Sequence, residues 1–161
     1  MINKRLINLA GVLACAALMA YALYAQYQLQ LAPCPLCIFQ RLAVIALGLI
    51  FLVAFLHNPQ NQGVSRVYAL LILLAGGVGA FVAGRHVWLQ NLPPDQVPAC
   101  GPGLDFMLEA FPVLEVLEMV LTGSGECATT DWSLLGLSMP AWVLIAVGLL
   151  SVMGVVNNLR R

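Results

Sequence analysis

Charge is scarce in this sequence: Asp, Glu, Lys and Arg together make up 9% of 161 residues, far below the share in soluble domains. That scarcity excludes a chain surrounded by water on all sides. Seven acids face seven bases, so there is no basic excess and no nucleic-acid partner is expected. No acid precedes Asp95 and none follows Asp131. Internal repeats and low-complexity tails are also missing. The apolar stretches lack strict alternation, which argues against a membrane β-barrel.

What fills the chain is apolar: 61% of residues are hydrophobic. Four long runs cover residues 9–25, 38–56, 67–83 and 141–156, the last entered through Met139-Pro140. Each is near the roughly 17–25 residues that cross a hydrocarbon core as helix. Backbone polar groups in lipid must be satisfied within their own segment, so these runs predict helices. The expected fold is an all-α membrane protein. It is a four-transmembrane-helix bundle forming a single integral-membrane domain over 1–161, in contact with membrane lipid. Small residues from Ala75 to Ala80 (Ala-Gly-Gly-Val-Gly-Ala) predict close helix packing at the third span.

The few charges give an orientation. Lys4, Arg5, Arg66, Arg160 and Arg161 flank spans, and basic residues mark the cytoplasmic side. Both termini are therefore expected in the cytoplasm, with loops 26–37 and 84–138 outward. Arg41 and Arg85 break the pattern at outward span ends, and a membrane-edge charge is a functional candidate by default. Ala20-Tyr21-Ala22 would suit signal-peptide cleavage, but the preceding run is long for that role and its removal would leave three spans. In the long loop, residues 104–121 are apolar yet carry four acids, with Pro112 expected to kink or split them. A short interfacial helix is one reading, and an ordinary helix packed on the bundle ends is the other.

Cysteine placement carries the chemistry. Cys15 lies mid-span and reads as a small inert packing residue. The other four divide between the outward loops: Cys34 and Cys37 in the first, Cys100 and Cys127 in the second. Thiols tend to be oxidised outside the bacterial cytoplasm. A static disulfide could close the second loop, whereas a Cys-x-x-Cys ring constrains little and is typically redox-active. Pro35 suits the first position of a helix, which places Cys37 in the first turn with Arg41 four residues on. Unpaired amides, the helix dipole and the guanidinium would all favour a thiolate at Cys37. Two rivals compete: a metal-binding protein with a four-cysteine site, and a scaffold with static disulfides. Cys100 and Cys127 are too widely spaced for the usual zinc pairs, and no metal is expected.

Cys34-Pro35-Leu36-Cys37-x-x-Gln40-Arg41 at the start of a second span resembles the DsbB family of disulfide-bond-forming membrane proteins. The loop pair Cys100 and Cys127, His86 ahead of it, and the run Asp131-Trp132-Ser133-Leu134-Leu135-Gly136 add to the resemblance, which covers nearly the whole chain. It implies a quinone-dependent thiol oxidoreductase of the bacterial inner membrane. Cys100–Cys127 would oxidise a periplasmic DsbA-like thioredoxin-fold partner through a mixed disulfide at Cys100. Cys127 would pass the electrons to Cys34–Cys37, with Cys34 attacked. Cys37 would face a bound quinone, ubiquinone or menaquinone. Arg41 would hold its head group, and His86 would supply a hydrogen bond or proton.

Overall fold

In a computed structural model of the chain, residues 3–101, 104–130 and 132–160 are described, the side chain of Asp105 excepted. Met1, Ile2, Pro102, Gly103, Asp131 and Arg161 lie outside them, so the parts of the charge and motif readings resting on Asp131 and Arg161 have no structural counterpart here.

Four helices are long and apolar enough to cross a membrane: α1 (Lys4–Tyr27), α2 (Pro35–His57), α3 (Gln62–Gln90) and α7 (Met139–Leu159). Between α3 and α7 come three short helices, α4 (Leu104–Ala110), α5 (Val113–Thr122) and α6 (Gly125–Ala128). A two-stranded hairpin, β1 (Ser133–Leu134) with β2 (Leu137–Ser138), leads directly into α7. The architecture is an all-α four-span bundle, as the apolar runs predict.

The helices outrun those runs because caps, not hydropathy, set their ends. The Asn3 side chain accepts the Arg5 N–H at 3.0 Å, and Asn61 accepts the Gly63 N–H at 2.7 Å. Asn58, in the left-handed region at φ 43°, closes α2. One consequence matters for the site. α3 continues to Gln90 and α2 starts at Pro35, so Cys37, Arg85 and His86 are helical residues rather than loop residues.

Packing is tightest where side chains are absent. The Phe51 ring lies between Gly11 of α1 and Gly154 of α7: a Cβ on either glycine would stand 2.7 Å from ring carbons. Within the small-residue stretch of α3, Gly76 meets Ser151 and Gly79 meets Ala43 and Val147, while Gly77 faces open space. At the end of the bundle opposite the four loop cysteines, buried Asn8, Ser65, Asn157 and Asn158 knit α1, α3 and α7 together. The Ser65 hydroxyl donates to the Asn158 carbonyl at 2.7 Å, and the Asn158 amide donates to Asn8 Oδ1 at 3.2 Å. Such bonds join membrane helices where apolar contact alone does not discriminate.

A second apolar core sits at the cysteine-bearing end. Leu36, Val82 and Leu89 of the bundle pack with Met107, Val116, Val120 and Cys127 of the long loop. Pro112 does split the loop helix, ending α4 and capping α5. Arg85 acquires a structural role: its Nε and Nη2 donate to the Leu121 and Thr122 carbonyls at 3.0 Å each, capping the C-terminus of α5. Its guanidinium also stacks over Trp88 at 4.1 Å.

Phe51→Ala should cost about 3–5 kcal/mol through the cavity left between the glycines. Gly154→Val should cost about 1–3 kcal/mol by overpacking. Gly77→Ala, at a position where a Cβ meets nothing within 4 Å, should leave stability unchanged or slightly raised. Denaturant titration in mixed micelles measures all three.

Candidate functional site

The site begins as a helix start. Cys34 is the N-cap of α2 and Pro35 its first residue. The Cys34 sulfur takes the place of a capping oxygen, accepting the Cys37 N–H at 3.4 Å. One turn on, the Cys37 sulfur stands 3.1 Å from Cys34 Sγ, beyond a covalent S–S length, with the Cys34 thiol donating to it. No two of the five cysteine sulfurs stand at covalent distance.

A further turn places Gln40 on the same side, buried against α3. Its amide meets His86 Nδ1 at 2.9 Å, leaving His86 Nε2 directed at Cys34 Sγ, 3.8 Å away. His86 is therefore a buried neighbour of the dithiol, not an interfacial histidine at a helix end. Ligand atoms of Cys34, Cys37 and His86 all fall within 4.8 Å of one another.

The long loop delivers another sulfur to this point. α6 buries Cys127 to 1% exposure, beside Cys34 and under the amide of Leu36. The Cys127 thiol is lowered to about 6, foremost by the hydrogen bond from Cys34. The Leu36 N–H and Ser124 add to this, against the opposing effect of burial. The Cys34 thiol is pushed far up, because its proton is shared first with Cys127, then with Cys37, in a buried setting. Sequence reasoning aimed the first-turn amides at Cys37; two of them instead serve Cys34 and Cys127.

Cys100 remains exposed, against the start of α6: a Cβ on Gly125 would lie 3.2 Å from its sulfur. The Gly125 N–H donates to the Ala99 carbonyl at 3.2 Å, pinning the two cysteine-bearing strands of the loop together. Arg41 is engaged by α1. Its guanidinium donates to the Ala22 carbonyl at 3.2 Å and to Gln26 Oε1, bridging α2 to α1.

Both arginine bonds border a cleft of about 170 Å³ between α1, α2, α3 and α7. Its lining is largely apolar, with Trp132, Trp142 and aliphatic side chains, and it also takes in Cys34, Cys37, Arg41, His86 and Glu126. Gln90 also borders it, and its buried Oε1 has no hydrogen-bond partner among the described residues. Sequence reasoning assigned no role to Gln40 or Gln90. Gln40 could have been flagged by its place on the buried stripe that also holds Leu36 and Val44. Gln90 had no sequence signal.

Residues 4–157 match the protein family described as Disulfide bond formation protein DsbB. The chain is similar to Disulfide bond formation protein B of Nitrosococcus oceani, with 54% identity covering 90% of this chain and 85% of that one. It is 55% identical to the protein of the same name from Hahella chejuensis, over 90% of this chain and 87% of that one. The Acinetobacter baumannii protein is 52% identical over 89% and 84%.

The shared proton makes a pH prediction. Since the folded pKa of Cys127 lies below the ordinary 9.0, its thiolate persists as pH falls toward about 6 and is lost below. In reduced Cys37→Ser protein, ultraviolet thiolate absorbance should show a step near pH 6. Cys34→Ala should move that step upward, whereas Cys34→Ser, which keeps a donor, should move it less.

Proposed function

Since the chain belongs to the DsbB family of disulfide bond formation proteins, we propose that it reoxidises a DsbA-like periplasmic dithiol protein and passes the electrons to a membrane quinone. The observation that carries this reading is the Cys127 sulfur held against Cys34 at the mouth of an apolar cleft. Thiol–disulfide exchange requires sulfurs in line, and a low-pKa thiolate facing a second sulfur is poised for it.

The steps balance as two-electron transfers. A partner thiolate attacks Cys100 of a Cys100–Cys127 disulfide, forming a mixed disulfide and releasing Cys127 as thiolate. The partner's second thiolate displaces Cys100, and the partner leaves oxidised. Cys127 then attacks Cys34 of a Cys34–Cys37 disulfide, releasing Cys37. The Cys100 thiolate resolves the Cys34–Cys127 bond, restoring the loop disulfide and leaving Cys34 and Cys37 reduced. Two electrons and two protons then leave this pair.

A quinone would supply the two-electron acceptor when bound. The residues fit such a group: the cleft is largely apolar, and Gln90 Oε1, without a partner among the described residues, is an acceptor open to a donor. Arg41 offers a fixed positive charge for a reduced oxygen. His86, oriented by Gln40, can take a proton beside the dithiol. The orientation expected from the charges puts the loop cysteines in the periplasm and both termini in the cytoplasm.

The Cys34–Cys37–His86 cluster supports a second reading, a soft-metal site. Metal analysis of the purified protein separates the two: a stoichiometric ion with protected thiols favours the metal reading.

Cys37→Ser should abolish quinone-dependent oxidation of a dithiol partner, and unchanged turnover would overturn the proposal. Arg41→Ala should raise the KM for quinone by about tenfold, the scale of one lost charge-assisted hydrogen bond, with exchange among the protein's own sulfurs retained. A partner variant lacking its second cysteine should attack the Cys100–Cys127 disulfide and stay covalently attached to Cys100, since no second thiolate is left to displace it, and the adduct should be seen on a non-reducing gel.

A further inference from the structure

The hairpin between α6 and α7 is built against its own local preferences. β1 and β2 pair Leu134 with Leu137, leaving a two-residue turn of Leu135 and Gly136. Both have positive φ, 54° and 79°. That is the turn class in which Asn-Gly and Asp-Gly are favoured, because a larger side chain in the left-handed region is sterically penalised. Here the first turn position holds a leucine, and it is 85% exposed, with Leu134 51% exposed beside it. A Cβ at Gly136 would meet nothing within 4 Å among the described residues, so the glycine side of the tip is open. Leu135 thus combines an unfavourable backbone region with a side chain left largely uncovered by the described residues.

The surroundings of the hairpin say what covers it. β2 runs into α7 without an intervening residue. Trp142, in the first turn of α7, donates from Nε1 to the Leu134 carbonyl at 3.1 Å, tying the hairpin to the start of a membrane span. Trp132, just before β1, meets Tyr21 of α1 edge-on at 5.8 Å. Tryptophan and tyrosine with apolar bodies and polar tips mark the membrane–water interface. No charged residue occurs between Asp131 and Arg160, so hairpin and span form one uncharged stretch. The exposed leucines therefore lie on an uncharged segment that runs directly into α7.

We propose that the β1–β2 hairpin is an interfacial lipid anchor, with Leu135 seated among the acyl chains beside the first turn of α7. The anchor holds the wall of the cleft that Trp132 and Trp142 form.

The test uses the full-length protein in phosphatidylcholine vesicles whose acyl chains are brominated near the headgroup. A Leu135→Trp variant adds one fluorophore, and subtracting the parent spectrum isolates it. The expected result is added emission that is quenched by the brominated lipid and protected from aqueous iodide. Iodide quenching without lipid quenching overturns the proposal. If that exposed emission is then shielded by a dithiol partner protein, the tip is a protein-docking surface instead. A second variant keeps the idea testable should Leu135→Trp misfold. Leu135→Asn improves the turn chemistry, so a tip in water would gain stability or stay the same. In lipid nanodiscs the anchor predicts a lowered Tm and faster hydrogen exchange in the hairpin. An unchanged or raised Tm overturns it.

Discussion

The Phe51 ring between two glycines is the contact on which the rest of the bundle turns. In lipid, apolar surface gains nothing by leaving its solvent, so helices associate through close dispersion contact and interhelical hydrogen bonds. Two missing side chains let α1 and α7 both close on one ring. With Phe51 fixed, the rotation of α2 about its axis is fixed too. Its buried stripe then runs through Leu47, Val44, Gln40 and Leu36 toward the cysteines. Gln40 meets His86 because Phe51 is where it is.

The polar groups are few, and most have a defined partner. The asparagines lock one end of the bundle; the other end uses its polar atoms to aim sulfurs. A helix start exposes amides that need acceptors. In α2 these acceptors are the sulfurs of Cys34 and Cys127, so the capping requirement of the fold and the electrostatics of the site are the same interactions. The two outlying arginines divide the labour. Arg85 caps a loop helix that covers the second core, and Arg41 joins α1 to α2 at the cleft.

Local features were legible in the sequence. Hydropathy gave four spans, Pro35 gave the start of α2, and Pro112 gave the break between α4 and α5. The cysteine partition placed Cys34, Cys37, Cys100 and Cys127 at one end of the molecule. Long-range pairings were not legible. Nothing in the spacing announces that Cys127 folds back onto Cys34, since that depends on α6 docking in the second core. Arg85 read as a functional candidate because the carbonyls it caps lie 36 and 37 residues away in a helix whose packing could not be foreseen. The turn at Leu135 was quoted as part of a motif, but its positive φ is a property of the register between β1 and β2, which periodicity over so few residues does not reveal.

Cys127 belongs to the second apolar core as well as to the line of sulfurs. Its side chain packs with Leu36, Leu89 and the buried face of α5. In the proposed relay this sulfur has to travel between Cys34 and Cys100. Each departure from Cys34 opens a packed cluster and exposes its leucines and valines, which is a local unfolding event. The speed of electron passage is thereby coupled to the cohesion of a small hydrophobic core. A docked partner that covered those side chains would lower the cost of opening, so partner binding and sulfur release are thermodynamically one process.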